Sequence, residues 1–210
     1  MTSATPDRAS LRGVSATTVS RLDEVGTTLL RAAAGLLAQQ GPGALTVRGI
    51  ATAAGMSTMN VYSRFGGKDG VVEQLFLQGF TLLGDAMQAA GTSDDPLADL
   101  QRCGQAYRRF ATEHDTLYAV MFEGVVADFE PSEQALAEAM GTLDQLAKRL
   151  ERAMDLGLLR RIPPMHAAAI VWSTVHGVVS LELKHQHDTL VDWQQVFDDA
   201  TAAVLKGLAA

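Results

Sequence analysis

Leu45 to Lys68 reads LTVRGIATAAGMSTMNVYSRFGGK, and its spacing predicts two short helices joined by a turn at Gly55. Ile50 and Ala51 supply an apolar and a small residue to the first helix. Gly55 tolerates a positive φ between the two, and Val61 anchors the second. Thr46 is placed to cap the first helix and Ser57 the second, each through a side-chain oxygen that accepts a backbone N–H. Val61 and Phe65 are spaced to share the buried face of the second helix. Thr58, Met59, Tyr62 and Ser63 then point away from it, where a nucleic-acid groove could receive them. The pattern predicts a helix-turn-helix that reads double-stranded DNA.

Working outward, Thr27–Gly41 (TTLLRAAAGLLAQQG) predicts a preceding helix, and Thr46–Ala54 is led by a threonine. These segments, with the string G-x-S-x-x-x-x-Y-x-x-F-x-x-K formed by Gly55, Ser57, Tyr62, Phe65 and Lys68, resemble the TetR family of bacterial transcriptional regulators. The resemblance implies an all-α, nine-helix fold. It would have an N-terminal helix-turn-helix DNA-binding domain and a C-terminal helical domain for ligand binding and dimerisation. It implies a homodimeric repressor released from a palindromic operator by a small organic effector. Asn60 stands where the family often has Thr or Ala, and Ser63 and Arg64 replace a more usual basic or aromatic pair. Those departures bear on which operator is read. The alternative is a TetR-like ligand-binding or protein-interaction module without DNA binding, and intact Thr46, Tyr62 and Lys68 oppose it.

By position, Thr58, Met59, Asn60 and Tyr62, with Arg48 on the preceding helix, are the candidates for base edges; Arg48 suits a guanine and Asn60 an adenine. Thr46, Ser63, Arg64 and Lys68 are candidates for phosphate contact, and Ser57 completes the DNA-facing set.

A net charge of −7 argues at first against a polyanionic partner. Its distribution removes the objection: residues 1–70 hold seven Lys or Arg against four acids (+3), whereas residues 71–210 hold ten against twenty (−10). The single cysteine, Cys103, excludes an internal disulfide framework and suits a reducing cytoplasm. No leader-like or bilayer-length apolar run is present, so a cytoplasmic protein with no membrane partner is expected.

Three regions follow: a flexible arm over 1–22, the DNA-binding domain over 23–70 and the ligand-binding and dimerisation domain over 71–210. Arg8, Arg12 and Arg21 could lie along DNA, though the same composition equally suits a tail without contacts. A first helix is expected over about Asp23–Gln40 and a fourth from Lys68 to near Gly91. Others follow over about Pro96–Glu113, Thr116–Val126, Pro131–Gly157, Pro164–His187 and from Asp188 or Thr189 to Leu208. Leu136, Met140, Leu143, Leu146, Ala147, Leu150 and Met154 form an apolar stripe on the seventh.

On the eighth helix, Ala169, Ser173 and Gly177 recur every four residues beside Leu181, a ribbon that another helix could approach closely. The ninth offers Trp193, Phe197, Ala200 and Val204. Both sets are dimerisation candidates, because a symmetric reader needs two heads; packing within one subunit is the other reading. Trp172, His176 and Gly177 also resemble the C-terminal domain of one TetR-like branch, named for those residues. Tyr107, Phe110, His114, Tyr118, Met121, Phe122, Trp172 and His176 are candidates for an effector cavity by that resemblance, and they equally suit an ordinary aromatic core. An uncharged or cationic organic effector is expected.

No nucleophile elbow, phosphate loop or H-E-x-x-H is present, so no enzyme, cofactor or metal site is expected. His185, His187 and Asp188 at a helix end suit solvent better than a metal, and Cys103 suits a buried thiol.

Overall fold

The computed structural model describes residues 22–185 and 190–210. Among these, nine α-helices follow one another: α1 Glu24–Gln40, α2 Val47–Ala53, α3 Thr58–Phe65, α4 Lys68–Ala89, α5 Pro96–Glu113, α6 Asp115–Phe122, α7 Glu133–Asp155, α8 Pro164–Lys184 and α9 Trp193–Gly207. There is no strand among the described residues beyond an isolated antiparallel bridge between Leu159 and Ala209. None of these helices is long and apolar enough to cross a membrane. The arm, with Arg8, Arg12 and Arg21, lies outside the described residues.

Helix boundaries follow local chemistry. Asp23 caps α1 by accepting the Gly26 N–H at 2.7 Å, and Thr46 caps α2 by accepting the Gly49 N–H at 3.0 Å. Gly55 takes φ +65° between α2 and α3, with the Met56 N–H donating back to the Ala51 carbonyl at 2.8 Å. Ser57 precedes α3, yet its hydroxyl makes no capping bond; the Asn60 amide reaches it first, at 3.3 Å. Asp95 caps α5 at 3.0 Å to both the Leu97 and Ala98 N–H groups.

Four boundaries differ from the sequence expectation. α6 ends at Phe122 rather than Val126, because Gly124 turns the chain into the left-handed region. α7 begins after Pro131, where the Ser132 hydroxyl caps the Ala135 N–H at 3.2 Å. α8 ends at Lys184 by its hydrogen bonds, short of the expected His187, which is outside the described residues together with Asp188 and Thr189. α9 starts not at those residues but after Asp192, which accepts the Gln195 N–H at 3.0 Å.

Helix α4 organises the packing. It lies against α1 and α3 at its beginning and against α5, α6 and α7 farther along. Its buried face holds Val71, Val72, Leu75, Phe76, Phe80, Leu83 and Met87. Gly70 sits so close to α3 that a Cβ built there would fall 1.8 Å from the Phe65 carbonyl oxygen. At Gly79 a Cβ would come within 2.3 Å of the Met121 sulfur on α6. Bulk on either side of these glycines sets how near the helices stand.

Buried polar groups tie the remaining helices. Asp99 on α5 is buried and accepts from the Ser93 N–H (2.9 Å), the Ser93 hydroxyl (2.7 Å) and Arg152 of α7 (2.8 Å), with Arg102 beside it. The Ser93 bonds, more than the arginines, hold its carboxyl down at about 2. The stabilisation from this folded-state shift is complete above the ordinary value of 3.8 and is lost as pH falls towards 2. Arg108 of α5 grips Glu182 of α8 through two bonds of 2.8 and 2.5 Å and also meets Gln194 of α9. The Arg160 N–H donates to the Leu208 carbonyl at 2.8 Å, which fastens the end of α9 to the segment after α7.

The α9 stripe is phased differently from expectation, and that of α7 departs from it only at its start. Leu136 and Met140 are half-exposed, and the core side of α7 is Ala135, Leu146, Ala147, Leu150, Ala153 and Met154. On α9 the buried line is Phe197, Thr201, Leu205 and then Leu208, which leaves Trp193, Val196, Ala200 and Val204 on an outer flank.

Gly70→Ala should destabilise the fold by about 1–3 kcal/mol, since the obstacle is backbone rather than a side chain that can swing away. Gly35→Ala, in α1 with nothing within 4 Å of the added carbon, should stabilise by about 0.5–1 kcal/mol. Thermal melts of the two variants should therefore move in opposite directions.

Candidate nucleic-acid interface and internal cavity

Helix α3 rests on Val61 and Phe65, which are buried. Its opposite side carries Thr58, Met59, Tyr62 and Ser63, all exposed. Met59 is 70% and Tyr62 55% exposed. Large apolar surface left in water on a short helix marks a surface that something else covers. Thr46 and Arg48 are exposed on the neighbouring α2, and Lys68 is half-buried at the start of α4. The residues named from the sequence for base and phosphate contact thus converge on one end of the molecule.

Several of them are already engaged. Arg64, expected on phosphate, instead holds Asp23 at the start of α1, through Nη2 at 2.7 Å and Nε at 2.9 Å. This hydrogen-bonded pair holds the Asp23 carboxyl at about 2 and raises the Arg64 guanidinium. The Arg64 Nη1 donates to Asn60 Oδ1 at 3.0 Å, while Asn60 Nδ2 donates to Ser57 Oγ at 3.3 Å. Ser57 is therefore an acceptor for Asn60 rather than the helix cap expected of it. No such partner holds Arg48 or Lys68 among the described residues.

In the other half of the molecule, α4, α5, α6, α7, α8 and α9 surround a cavity of about 150 Å³. Tyr107, Phe122 and Trp172 line it, as the sequence suggested. Phe110, His114, Tyr118, Met121 and His176 do not. Phe110 and Met121 are core, Met121 because Gly79 admits it against α4, and His114 joins α5 to α6 with its ring 5.3 Å from that of Phe110. Tyr118 and His176 stand behind the wall. The walls missed from the sequence include Phe80, Leu83 and Met87 of α4, Met140 and Leu143 of α7, and Thr201 and Leu205 of α9. No charged side chain lines the cavity. Met140 is half-exposed, so the cavity reaches the surface beside α7.

The polar groups behind the wall converge on His176. Burial, with Tyr118 second, raises the Tyr107 phenol, and burial also raises that of Tyr118, so both remain donors. The Tyr107 oxygen lies 3.3 Å from that of Tyr118 and 3.0 Å from His176 Nδ1, and the Tyr118 oxygen lies 2.8 Å from the same nitrogen. Burial lowers the His176 imidazole and so favours its neutral form, whose Nε2 lies 3.5 Å from the Ser180 hydroxyl. By contrast, Thr201 Oγ1 is buried in the cavity wall without a hydrogen-bond partner. Cys103 lines the same space, its thiol raised first by burial.

The dimerisation candidates divide. On α8, Ser173 and Leu181 are exposed, Ala169 is half-buried, and a Cβ at Gly177 would meet nothing within 4 Å. On α9, Trp193, Ala200 and Val204 are half-buried. Phe197 does not belong with them: it is buried inside the subunit against Gly104, with Arg108 6.0 Å above its ring. At the end of α8, His185 lies alongside Trp193, and no group of three potential metal ligands occurs among the described residues.

Comparison with known proteins gives concordant matches. Residues 29–75 match the family model described as bacterial regulatory proteins, tetR family. Residues 100–204 match the one described as Tetracyclin repressor-like, C-terminal domain, a different description from the branch that Trp172, His176 and Gly177 resemble. No curated protein matches the chain. Among solved structures, a protein of unknown function from Rhodococcus sp. RHA1 is similar at TM-score 0.79 and 22% identity, over 92% of this chain and 100% of that one. The TetR family transcriptional regulator PfmR from Thermus thermophilus is similar at 0.69 and 23%, over 87% and 99%. SmeT, the repressor of the Stenotrophomonas maltophilia multidrug efflux pump SmeDEF, is similar at 0.66 and 20%, over 88% and 90%.

A buried hydroxyl without a partner carries its desolvation cost uncompensated. Thr201→Val, which keeps the shape and removes the hydroxyl, should raise stability by about 1 kcal/mol. A melting temperature below that of the parent would mean that the hydroxyl is satisfied in solution.

Proposed function

Since this chain belongs to the TetR family of bacterial regulatory proteins, whose members are non-enzymatic DNA-binding transcription factors, we propose that it acts as a cytoplasmic homodimeric repressor. It leaves a palindromic operator when a small organic molecule binds. The observation that carries the DNA-reading part is α3, whose exposed Thr58, Met59, Tyr62 and Ser63 stand on a buried Val61–Phe65 base. Thr58, Met59, Asn60 and Tyr62, with Arg48, are the base-edge readers. Thr46, Ser63 and Lys68 hold the phosphate backbone and set register.

Dimerisation supplies the second head. The face of Ala169, Ser173, Gly177 and Leu181 on α8, flanked by Trp193, Ala200 and Val204 of α9, suits a second copy. Its small residues let backbones approach, and its apolar edges gain by being covered. Repression is the common mode of the family, and the repressor SmeT shares the fold.

The cavity supports the effector. A volume of about 150 Å³ with apolar walls suits a molecule of benzene size. An ion would lose its hydration without a counter-charge, so the cationic option raised by the sequence gives way to a neutral ligand. Thr201 offers an unsatisfied hydroxyl in the cavity wall, which suits a single hydroxyl or carbonyl on that ligand. The effector would favour a state in which the two heads are misplaced, and α4, which meets both α3 and the cavity, would carry that preference.

Two experiments test these parts separately. Selection from a randomised duplex pool should yield a palindrome with the parent protein. Gly177→Leu, whose Cβ meets nothing within 4 Å in its own subunit, should give monomers by light scattering, an unchanged helical content and loss of the paired site. A folded dimer in that variant places the interface elsewhere, and a parent that selects no sequence removes the DNA-reading role. For the effector, Trp193→Phe leaves Trp172 as the single indole at the cavity. Phenol should change its emission at lower concentration than benzene does, and ligands that do so should weaken operator binding. Emission changes with unaltered DNA affinity would keep the cavity and discard the switch.

A further inference from the structure

Among the described cations of α1, α2 and α3, Arg64 is the one held by a carboxylate, and that carboxylate lies outside the helix-turn-helix. Asp23 is 41 residues away in sequence, at the start of α1. It accepts from Arg64 Nε at 2.9 Å and Nη2 at 2.7 Å, the two-pronged arrangement a guanidinium makes best. Because Asp23 also accepts the Gly26 N–H at 2.7 Å, the carboxylate is itself anchored to the α1 backbone.

The consequence passes on to Asn60. A guanidinium can only donate. The Asn60 amide must therefore turn its oxygen, not its nitrogen, towards Arg64 Nη1, at 3.0 Å. Its nitrogen is thereby turned to Ser57 Oγ, at 3.3 Å. An unrestrained asparagine presents donor and acceptor in either order with little difference in energy. This one has its order set by a carboxylate on another helix.

We propose that Asp23 is a specificity-determining residue of the reading head, which withholds Arg64 from phosphate and, through Arg64, fixes the donor–acceptor order that Asn60 presents to base edges. This rests on the DNA-reading role proposed above. Each half has a physical reason. An arginine on phosphate would add affinity for every sequence alike, with release of a counterion. An asparagine of fixed order distinguishes an edge such as adenine N6–H and N7 from the reversed arrangement. Asp23 thus lowers affinity for arbitrary DNA and sharpens discrimination at one base position. It touches no base itself.

The test uses the full chain and Asp23→Asn, which retains an oxygen to cap Gly26 and removes the charge. Asp23→Ser, whose hydroxyl also caps, takes its place if the first variant melts early. The probes are a randomised duplex pool, for base preference, and one fixed duplex of scrambled sequence, titrated across salt. On the scrambled duplex the variant should bind several-fold tighter, with a log–log salt slope steeper by about 0.9 for each phosphate gained. In the pool, preference should relax at one position. Asn60→Ala should relax the same position, and adding Asp23→Asn to it should raise affinity without further change in preference. Unchanged scrambled-duplex affinity and slope, or relaxation at a position that Asn60→Ala leaves intact, overturns the proposal while the DNA-reading role stands. A parent protein without any sequence preference overturns both.

Discussion

The nearness of α4 to α3 is set by an absence: at Gly70 there is no room for a single carbon against the Phe65 carbonyl. The two helices meet backbone to backbone, and Gly66, at φ +72°, makes the corner between them. From there α4 runs unbroken for 22 residues, a length of about 33 Å at 1.5 Å per residue. Its later residues Phe80, Leu83 and Met87 are walls of the cavity. Midway, Gly79 lies hard against Met121, which leaves little slack for sliding past α6. A stiff rod gripped at one end, pivoted near its middle and lining a void at the other tilts more easily than it translates. The geometry of both ends is one problem, solved by glycines.

How far this was legible from sequence differs between its parts. The helices themselves were, because apolar periodicity and cap residues act locally: Asp23, Thr46 and Asp95 cap helices from the positions their chemistry favours. Ser57 shows the limit, since a serine at a helix start has competitors and Asn60 wins its hydroxyl. The α9 stripe failed in phase, not in kind, and that of α7 only in its first residues. Both helices carry apolar residues on more than one side, and only the neighbours decide which side is covered. For α9 it is the line of Phe197 and Thr201, drawn in by the space at Gly104.

Long-range ionic contacts left no trace in the pattern. Arg64 reads as a free cation on a reading helix until the fold brings Asp23 to it, and Arg108 and Glu182 are 74 residues apart. The cavity was only partly foreseeable for a related reason. Aromatic residues such as Phe110 and Tyr118 look alike in sequence whether they fill a core or face a void. Thr201 looks like any helical threonine, and only its lack of a partner distinguishes it. Charge counting was likewise coarse. Residues 22–70 hold four cations (Arg31, Arg48, Arg64, Lys68) against three acids (Asp23, Glu24, Asp69), and the Asp23–Arg64 pair cancels within that set. The positive character of the α3 end therefore sits in a few exposed side chains rather than in a broad field.

Cys103 brings one practical property to this architecture. It is the only cysteine of the chain, it lines the cavity, and with 2% exposure and a raised thiol it is buried and protonated. A thiol-modifying reagent reaches it only through the cavity, from the mouth beside α7, so the rate of modification under native conditions counts how often that passage admits a reagent. The molecule carries a built-in stopwatch for its own breathing, readable by mass without attaching any label.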